Sequence, residues 1–269
     1  MFVIEIPGLN INQIYNSKQA PRWIKLKDSL YVIPFKDKAL KIEQQISKRD
    51  WRTYRLIMSC SEEDFYNIWF KYFDLWIDYV ALNAKAKKLL NKKFTKPINA
   101  GTGIHVLNQD PFEAYIYGKI ASKVGYDKAQ RAMNHIAQTC GIKHIQTMGD
   151  AGKVTWYEFP TAEMILDNFN NLSKMGKIND WLKRLCVAIV NDDFDVRKSD
   201  EALIKLLTSN LDVFPTTEIE ETITKNFKCT PDEFSDLYLK DFKDKGVIYF
   251  YILHYIKNAN EGVKYYGPN

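Results

Sequence analysis

Over the first sixty residues the apolar positions alternate with polar ones. FVIEI (2–6), RWIKLKDSLYVIPF (22–35), ALKIEQQIS (39–47) and TYRLIMSC (53–60) are short runs rich in Val, Ile, Tyr and Phe. A period of two predicts half-buried strands. The turn-like PGLN, LKDS and FKDK between them predict tight antiparallel connections. From SEEDFYNIW onward the spacing lengthens to three and four. Ser61 stands as an N-cap with Glu62, Glu63 and Asp64 in the first turn, and Phe65, Ile68, Trp69 and Phe73 fall on one face of a helical run that reaches about residue 90.

The helical texture then continues. FEAYIYGKIASKVG, YDKAQRAMNHIAQTCG, AEMILDNFNNLSKMG, INDWLKRLCVAIVND, SDEALIKLLTSN, TEIEETITKNF and PDEFSDLYLKDFKDKGVIYFYILHYIKN all carry it. Gly125, Gly141 and Gly176 occupy C-cap positions, and Pro111, Pro160 and Pro231 occupy helix starts. The expected fold class is α+β: an N-terminal antiparallel sheet domain with a helix over residues 1–84, then an all-helical domain over 85–269. KYYGPN at the end reads as a loose tail.

Composition narrows this only a little. With 269 residues and 46% hydrophobic content, the chain can bury its own core. A formal charge of +5 is compatible with nucleic acid but selects no partner class. Cys60, Cys140, Cys186 and Cys229 lie far apart, with no CxxC pair and no histidine at ligand spacing. No metal site and no cofactor are expected, and free thiols point to a reducing, cytoplasmic location. There is no signal-like start and no run of about 18 apolar residues, so no membrane association is expected. The lysines at 85, 87, 88, 92, 93 and 96 have no aromatic residues among them to stack bases, and read as a solvated face. His105 and His135 read as half-buried structural histidines, and packing accounts for His254. The stripe Trp69, Phe70, Tyr72, Phe73 and Trp76 reads as core, and Trp181, beside Lys177 and Lys183, as a candidate exposed contact.

Five islands carry more. SKQAPRW (17–23), YFDLWIDY (72–79), GTGIHVLNQDPFE (101–113), DVFP (212–215) and KGVIYFYILHY (245–255) together resemble the 8-oxoguanine DNA glycosylase family. That resemblance implies a sheet domain ahead of a helix-hairpin-helix glycosylase fold. It implies extrusion of a damaged base, attack on the sugar by a lysine with depressed pKa, and a companion aspartate. The lysine and a phosphate-gripping glycine turn belong to the hairpin. Here Leu207 and Leu211 are separated only by Thr208, Ser209 and Asn210, with no glycine turn between 180 and 230. The family's DVFPVD reads DVFPTT, so Thr217 takes the place of the catalytic aspartate and can serve as a helix cap. Glu218, Glu220 and Glu221 fit the acidic preference of a first helical turn, and Glu218 is the substitute acid to consider.

Other positions differ in the same direction. Lys18 stands where the family places a glycine whose carbonyl meets the base. Lys123, Val124 and Gly125 replace an asparagine-rich turn. Tyr249 replaces a glutamine that reads the base edge, and Leu253 a stacking phenylalanine. Gln19, Arg22, Trp23, Asp110, Pro111, Phe112, Glu113, Gly246 and His254 are retained and read as framework. The sequence therefore reads as a glycosylase-like scaffold without an assigned catalytic residue. Its partner is nucleic acid, a modified nucleobase or nucleotide, or another protein, met through Lys18, Gln19, Arg22, Lys123, Thr217, Tyr249 and Leu253. Two enzymatic alternatives stand beside it: an N-glycosidase for a nucleoside or nucleotide, with Glu218, Glu220 or Asp212 as the acid, and a DNA glycosylase for another lesion.

Overall fold

The computed structural model describes residues 1–48, 50, 53–90, 92–172, 175–196, 223–225, 227–242 and 244–260. The alternating runs form one five-stranded antiparallel sheet from β1 (Phe2–Pro7), β2 (Ile24–Lys27), β3 (Leu30–Phe35), β4 (Lys38–Ile46) and β5 (Thr53–Met58), in the order β1-β5-β4-β3-β2. The run from 22 to 35 is thus two strands. They are joined through Asp28 and Ser29, the latter with φ 62°. Helix α1 (Ile11–Asn16) was not expected. It offers only Ile11 and Ile14 as buried positions, too few for a period to show, and Asn10 caps it by accepting from the Gln13 amide.

Ser61 caps α2 (Glu62–Asp64) as expected, accepting from the Asp64 amide. The chain continues through a π turn, Phe65–Trp69, into α3 (Phe70–Tyr72). It does not run on to residue 90. At Asp74 the backbone turns left-handed, φ 54°, with the carboxylate fully buried and accepting a 2.7 Å hydrogen bond from the Tyr79 hydroxyl. Asp78 then caps α4 (Tyr79–Leu89). This break swings Trp76 out of the expected core, leaving it 74% exposed, while Trp69, Tyr72 and Phe73 are buried as expected. After α5 (Thr95–Gly101), the segment 102–109 passes under the N-terminal stretch. Gly103 has φ 98°, a backbone conformation that strains any side chain, and a Cβ there would also displace the Gln13 carboxamide.

The first core combines the sheet, α2 to α5 and the C-terminal helices α10 (Pro231–Phe234) and α11 (Lys245–Asn260). It draws on residues from both sides of position 84. Helix α11 packs so closely on α5 that a Cβ at Gly101 would overlap the Tyr251 ring, 2.1 Å away. A second, contiguous core gathers α6 (Pro111–Val124), α7 (Tyr126–Cys140), α8 (Ala162–Asp167) and α9 (Lys177–Val190). Asp110 caps α6 from the Phe112 and Glu113 amides, and Gly125, φ 81°, lets α7 start at once. Gly176 precedes α9 instead of closing the helix before it, because α8 stops at Asp167. Cys140 and Cys186 lie in this core, where burial pushes their thiols up to about 11 and about 12.

This helical half also carries a two-stranded hairpin, β6 (Lys143–Thr147) and β7 (Lys153–Tyr157). Its KHIQT strand is polar and mostly exposed, so alternation does not reveal it. Met148, Val154 and Trp156 pack on Val32 of β3, and Lys41 of β4 pairs with Asp150. The hairpin therefore covers the outer face of the sheet, which explains why β3 is buried almost throughout.

Arg22 joins these parts. Its Nε and Nη2 donate to the two Glu113 carboxylate oxygens at 2.6 and 2.7 Å, and Nη1 donates to the Tyr157 carbonyl at 2.7 Å. The guanidinium also lies 5.4 Å from the centre of the Phe159 ring. Burial works against its charge, yet the Glu113 carboxylate more than compensates and the net shift is upward. Breaking a buried pair by removing one partner costs about 3–5 kcal/mol. Urea denaturation of Arg22→Met or Glu113→Gln is expected to show a loss of that order, with most of it recovered in the double variant Arg22→Met/Glu113→Leu. Equal losses in singles and double would contradict this account.

His105 is buried instead of half-buried. Its ring stacks on Tyr79 at 3.7 Å between centroids, with Nδ1 3.0 Å from the Phe73 carbonyl. Burial lowers its pKa from 6.5 to about 4. The unfolded chain takes up this proton first, so the contribution is complete above about pH 6.5 and is lost as pH falls toward 4. At about 1.4 kcal/mol per unit, the loss is about 3 kcal/mol. Unfolding free energies measured at pH 7 and pH 4 should converge by that amount in His105→Gln relative to the parent; an unchanged difference would exclude the assignment.

Candidate functional site

Lys18 follows the last turn of α1, beyond Ser17, with φ 58°. That left-handed conformation suits glycine and strains a lysine. Its carbonyl accepts a 2.6 Å hydrogen bond from the Tyr117 hydroxyl, and its ammonium pairs with Asp127 at 3.0 Å. Both ends of the pair are largely solvated, so it contributes little to stability. Tyr117 lies on α6 one turn beyond Glu113, and the Arg22–Glu113 pair therefore helps set its height against Lys18.

The neighbouring retained residues turn inward. The Gln19 amide nitrogen donates to the His105 carbonyl and to Ser17, and its side-chain oxygen accepts from the Leu107 amide. The Gln109 side chain donates to the Gln19 carbonyl. Tyr249 is buried beside Phe234, and burial pushes its hydroxyl up to about 12. The sequence reading put Gln19, Arg22 and Tyr249 at a ligand surface, but the structure commits all three to internal packing and hydrogen bonds.

Lys18 and Leu253 are brought together. They share a recess of about 40 Å³ with Tyr126, Phe250 and His254. That is room for about one water molecule. On another side of Lys18 opens a larger cleft of about 250 Å³, walled by Tyr15, Tyr117 and Tyr126 and rimmed by Asn16, Asp127 and Gln130. Lys123 is exposed at the end of α6, its Nζ 5.8 Å from the centre of the half-buried Trp181 ring. Lys85 folds back onto the Phe242 ring, while Lys87, Lys88, Lys92 and Lys96 are exposed, as a solvated face requires. Thr217, Glu218, Glu220, Glu221 and Asp212 lie outside the described residues, as does the interval between Leu207 and Leu211.

Tyr117, Tyr126 and Asp127 were missed from sequence. A signal existed for Tyr117, which stands four residues after Glu113 and so shares the helix face that meets the N-terminal segment. Nothing in the spacing marked Asp127. Among the described residues no three His, Cys, Asp or Glu side chains converge as a metal site would require, and no helix is long and apolar enough to cross a membrane.

A five-stranded antiparallel sheet packed on helices, with Asp110-Pro111 opening the helix that faces Lys18, defines a DNA-glycosylase-like α+β fold. Residues 1–115 match the family described as the 8-oxoguanine DNA glycosylase, N-terminal domain. No curated protein matches the sequence. Among solved structures, MBOgg1 in complex with a low-affinity DNA ligand aligns over 96% of both chains, with a TM-score of 0.77 and 19% identity. The Clostridium acetobutylicum 8-oxoguanine glycosylase/lyase, in complex with double-stranded DNA containing cytosine opposite 8-oxoguanine, aligns over 97% of this chain and 99% of that one, with a TM-score of 0.75 and 19% identity. The 3-methyladenine DNA glycosylase from Archaeoglobus fulgidus aligns over 96% and 98%, with a TM-score of 0.67 and 12% identity. At such identities the structures establish the shared fold.

Tyr117→Phe removes the hydroxyl that donates to the Lys18 carbonyl without altering ring packing. Leaving a buried acceptor unmet costs about 1–3 kcal/mol, and this carbonyl is part-buried, so a loss of about 1 kcal/mol, the low end of that range, is expected in urea denaturation; a change below about 0.3 kcal/mol, at the level of an exposed substitution, would show that water replaces the hydroxyl.

Proposed function

We propose that this chain is a DNA-glycosylase-like protein that binds nucleic acid and does not excise bases. The observation that carries the reading is at Lys18. The carbonyl that the family resemblance assigns to the oxidised base is engaged by Tyr117, and the adjoining recess holds about 40 Å³. A purine ring cannot enter a space of one water molecule. Thr217 in the place of the catalytic carboxylate supports the same reading, since a threonine hydroxyl neither holds nor releases a proton near neutral pH.

Nucleic acid is the favoured partner because solved relatives of this fold are DNA complexes. In this reading Lys123 supplies charge at the surface, Lys18 being paired with Asp127, while Lys18, Thr217 and Leu253 belong to the remnant of the base site. Gln19, Arg22 and Tyr249 hold the frame. Binding of this kind rests on phosphate neutralisation and weakens with salt.

The test combines chemistry with binding. Incubation with a duplex carrying 8-oxoguanine opposite cytosine, followed by borohydride, is expected to trap no covalent adduct and release no base. Duplex affinity is expected to fall at least tenfold between about 50 and 200 mM salt, with a shallower slope for Lys123→Ala. A trapped adduct would overturn the non-catalytic part. Absent or salt-independent binding would overturn the nucleic-acid part. Base released from free nucleosides would replace both with an N-glycosidase.

A further inference from the structure

The larger cleft beside Lys18 has a chemistry of its own. Its volume of about 250 Å³ lies just under the range of about 300–1,000 Å³ usual for drug-sized ligands, so it suits one fused ring with a small substituent. The walls are aromatic. Tyr117 and Tyr126 meet edge to face, with centroids 5.9 Å apart at 61°, and the hydrogen bond from Tyr117 to the Lys18 carbonyl holds one of these rings in place. Tyr15 closes the cleft from α1. A planar heteroaromatic ring packs on such surfaces by stacking or edge contact.

The polar rim has unspent capacity. The Tyr15 hydroxyl and the side-chain amides of Asn16 and Gln130 carry no hydrogen bond within the protein among the described residues. A carboxamide presents a donor and an acceptor side by side and matches the paired acceptor and donor on a purine edge. Among the described residues the only charged groups lining the cleft, Lys18 and Asp127, neutralise each other at 3.0 Å. A phosphate would have to compete with Asp127 for that ammonium. We infer that the cleft between α1, α6 and the start of α7 is a binding site for an uncharged purine ring, presented either as a free nucleoside or as a base extruded from a strand.

This site extends the proposed function but stands on a different cavity, so the two readings fail separately. The experiment is saturation-transfer NMR and calorimetric titration of the full chain with adenosine, guanosine and adenosine 5′-monophosphate. Saturable binding of a purine nucleoside is expected, with no gain for the monophosphate. Gln130→Ala and Asn16→Ala, both at the rim and outside the cores, are expected to weaken it at least fivefold each while leaving urea denaturation unchanged. Failure of both nucleosides to saturate at millimolar concentration, or binding indifferent to both substitutions, would overturn the site. Tighter binding of the monophosphate would overturn its uncharged character. Competition of bound nucleoside by a duplex with a single unpaired adenine supports the site and names an extruded base as the source; no competition supports it with a free nucleoside. Nucleoside binding that persists where intact duplex fails to bind would leave this site standing and remove only the nucleic-acid reading above.

Discussion

A guanidinium and a carboxylate, both withdrawn from water, hold this protein together. Arg22 enters from the turn ahead of β2 and Glu113 from the first turn of α6, so their bidentate pair ties the sheet core to the helical core. Taking two charges out of solvent is costly, and the pair is tolerable because its hydrogen bonds are short, parallel and extended by the Tyr157 carbonyl. A lysine could not make this fork. One turn along α6 stands Tyr117, and the geometry at Lys18 follows from where that tie sets the helix. The site is downstream of the ion pair.

Much of the frame was legible because its signals are local. Alternation over residues 2 to 58 marked the sheet, Ser61 and Pro111 marked helix starts, and Arg22 and Glu113 were read as framework. The errors share a cause: they depend on contacts distant in sequence. The helix after Ser61 breaks at Asp74 because a left-handed carboxylate there meets the Tyr79 hydroxyl, and no short-range pattern encodes that partner. The hairpin at 143–157 stays polar on one strand because its apolar residues serve the sheet of the other half.

The candidate site was legible in part and for a different reason. Resemblance located Lys18 and Leu253, which the structure does bring to one recess. It also selected Gln19, Arg22 and Tyr249, whose polar character suggested ligands but which serve internal bonds. Residue type reports what a side chain can do, while burial and partners decide what it does. Tyr117, Tyr126 and Gln130 escaped notice since tyrosine and glutamine on a helix are ordinary until a cavity is seen between them.

The two cores also differ in how the chain reaches them. The helical one is built from a single continuous stretch between residues 115 and 186. The sheet core joins residue 9 and residue 253 in one cluster, so its last pieces leave the ribosome long after its first. During synthesis the strands must wait, with apolar faces uncovered, for α11 to arrive and seat Tyr251 over Gly101. The interval in between is when a chaperone would find the most to hold.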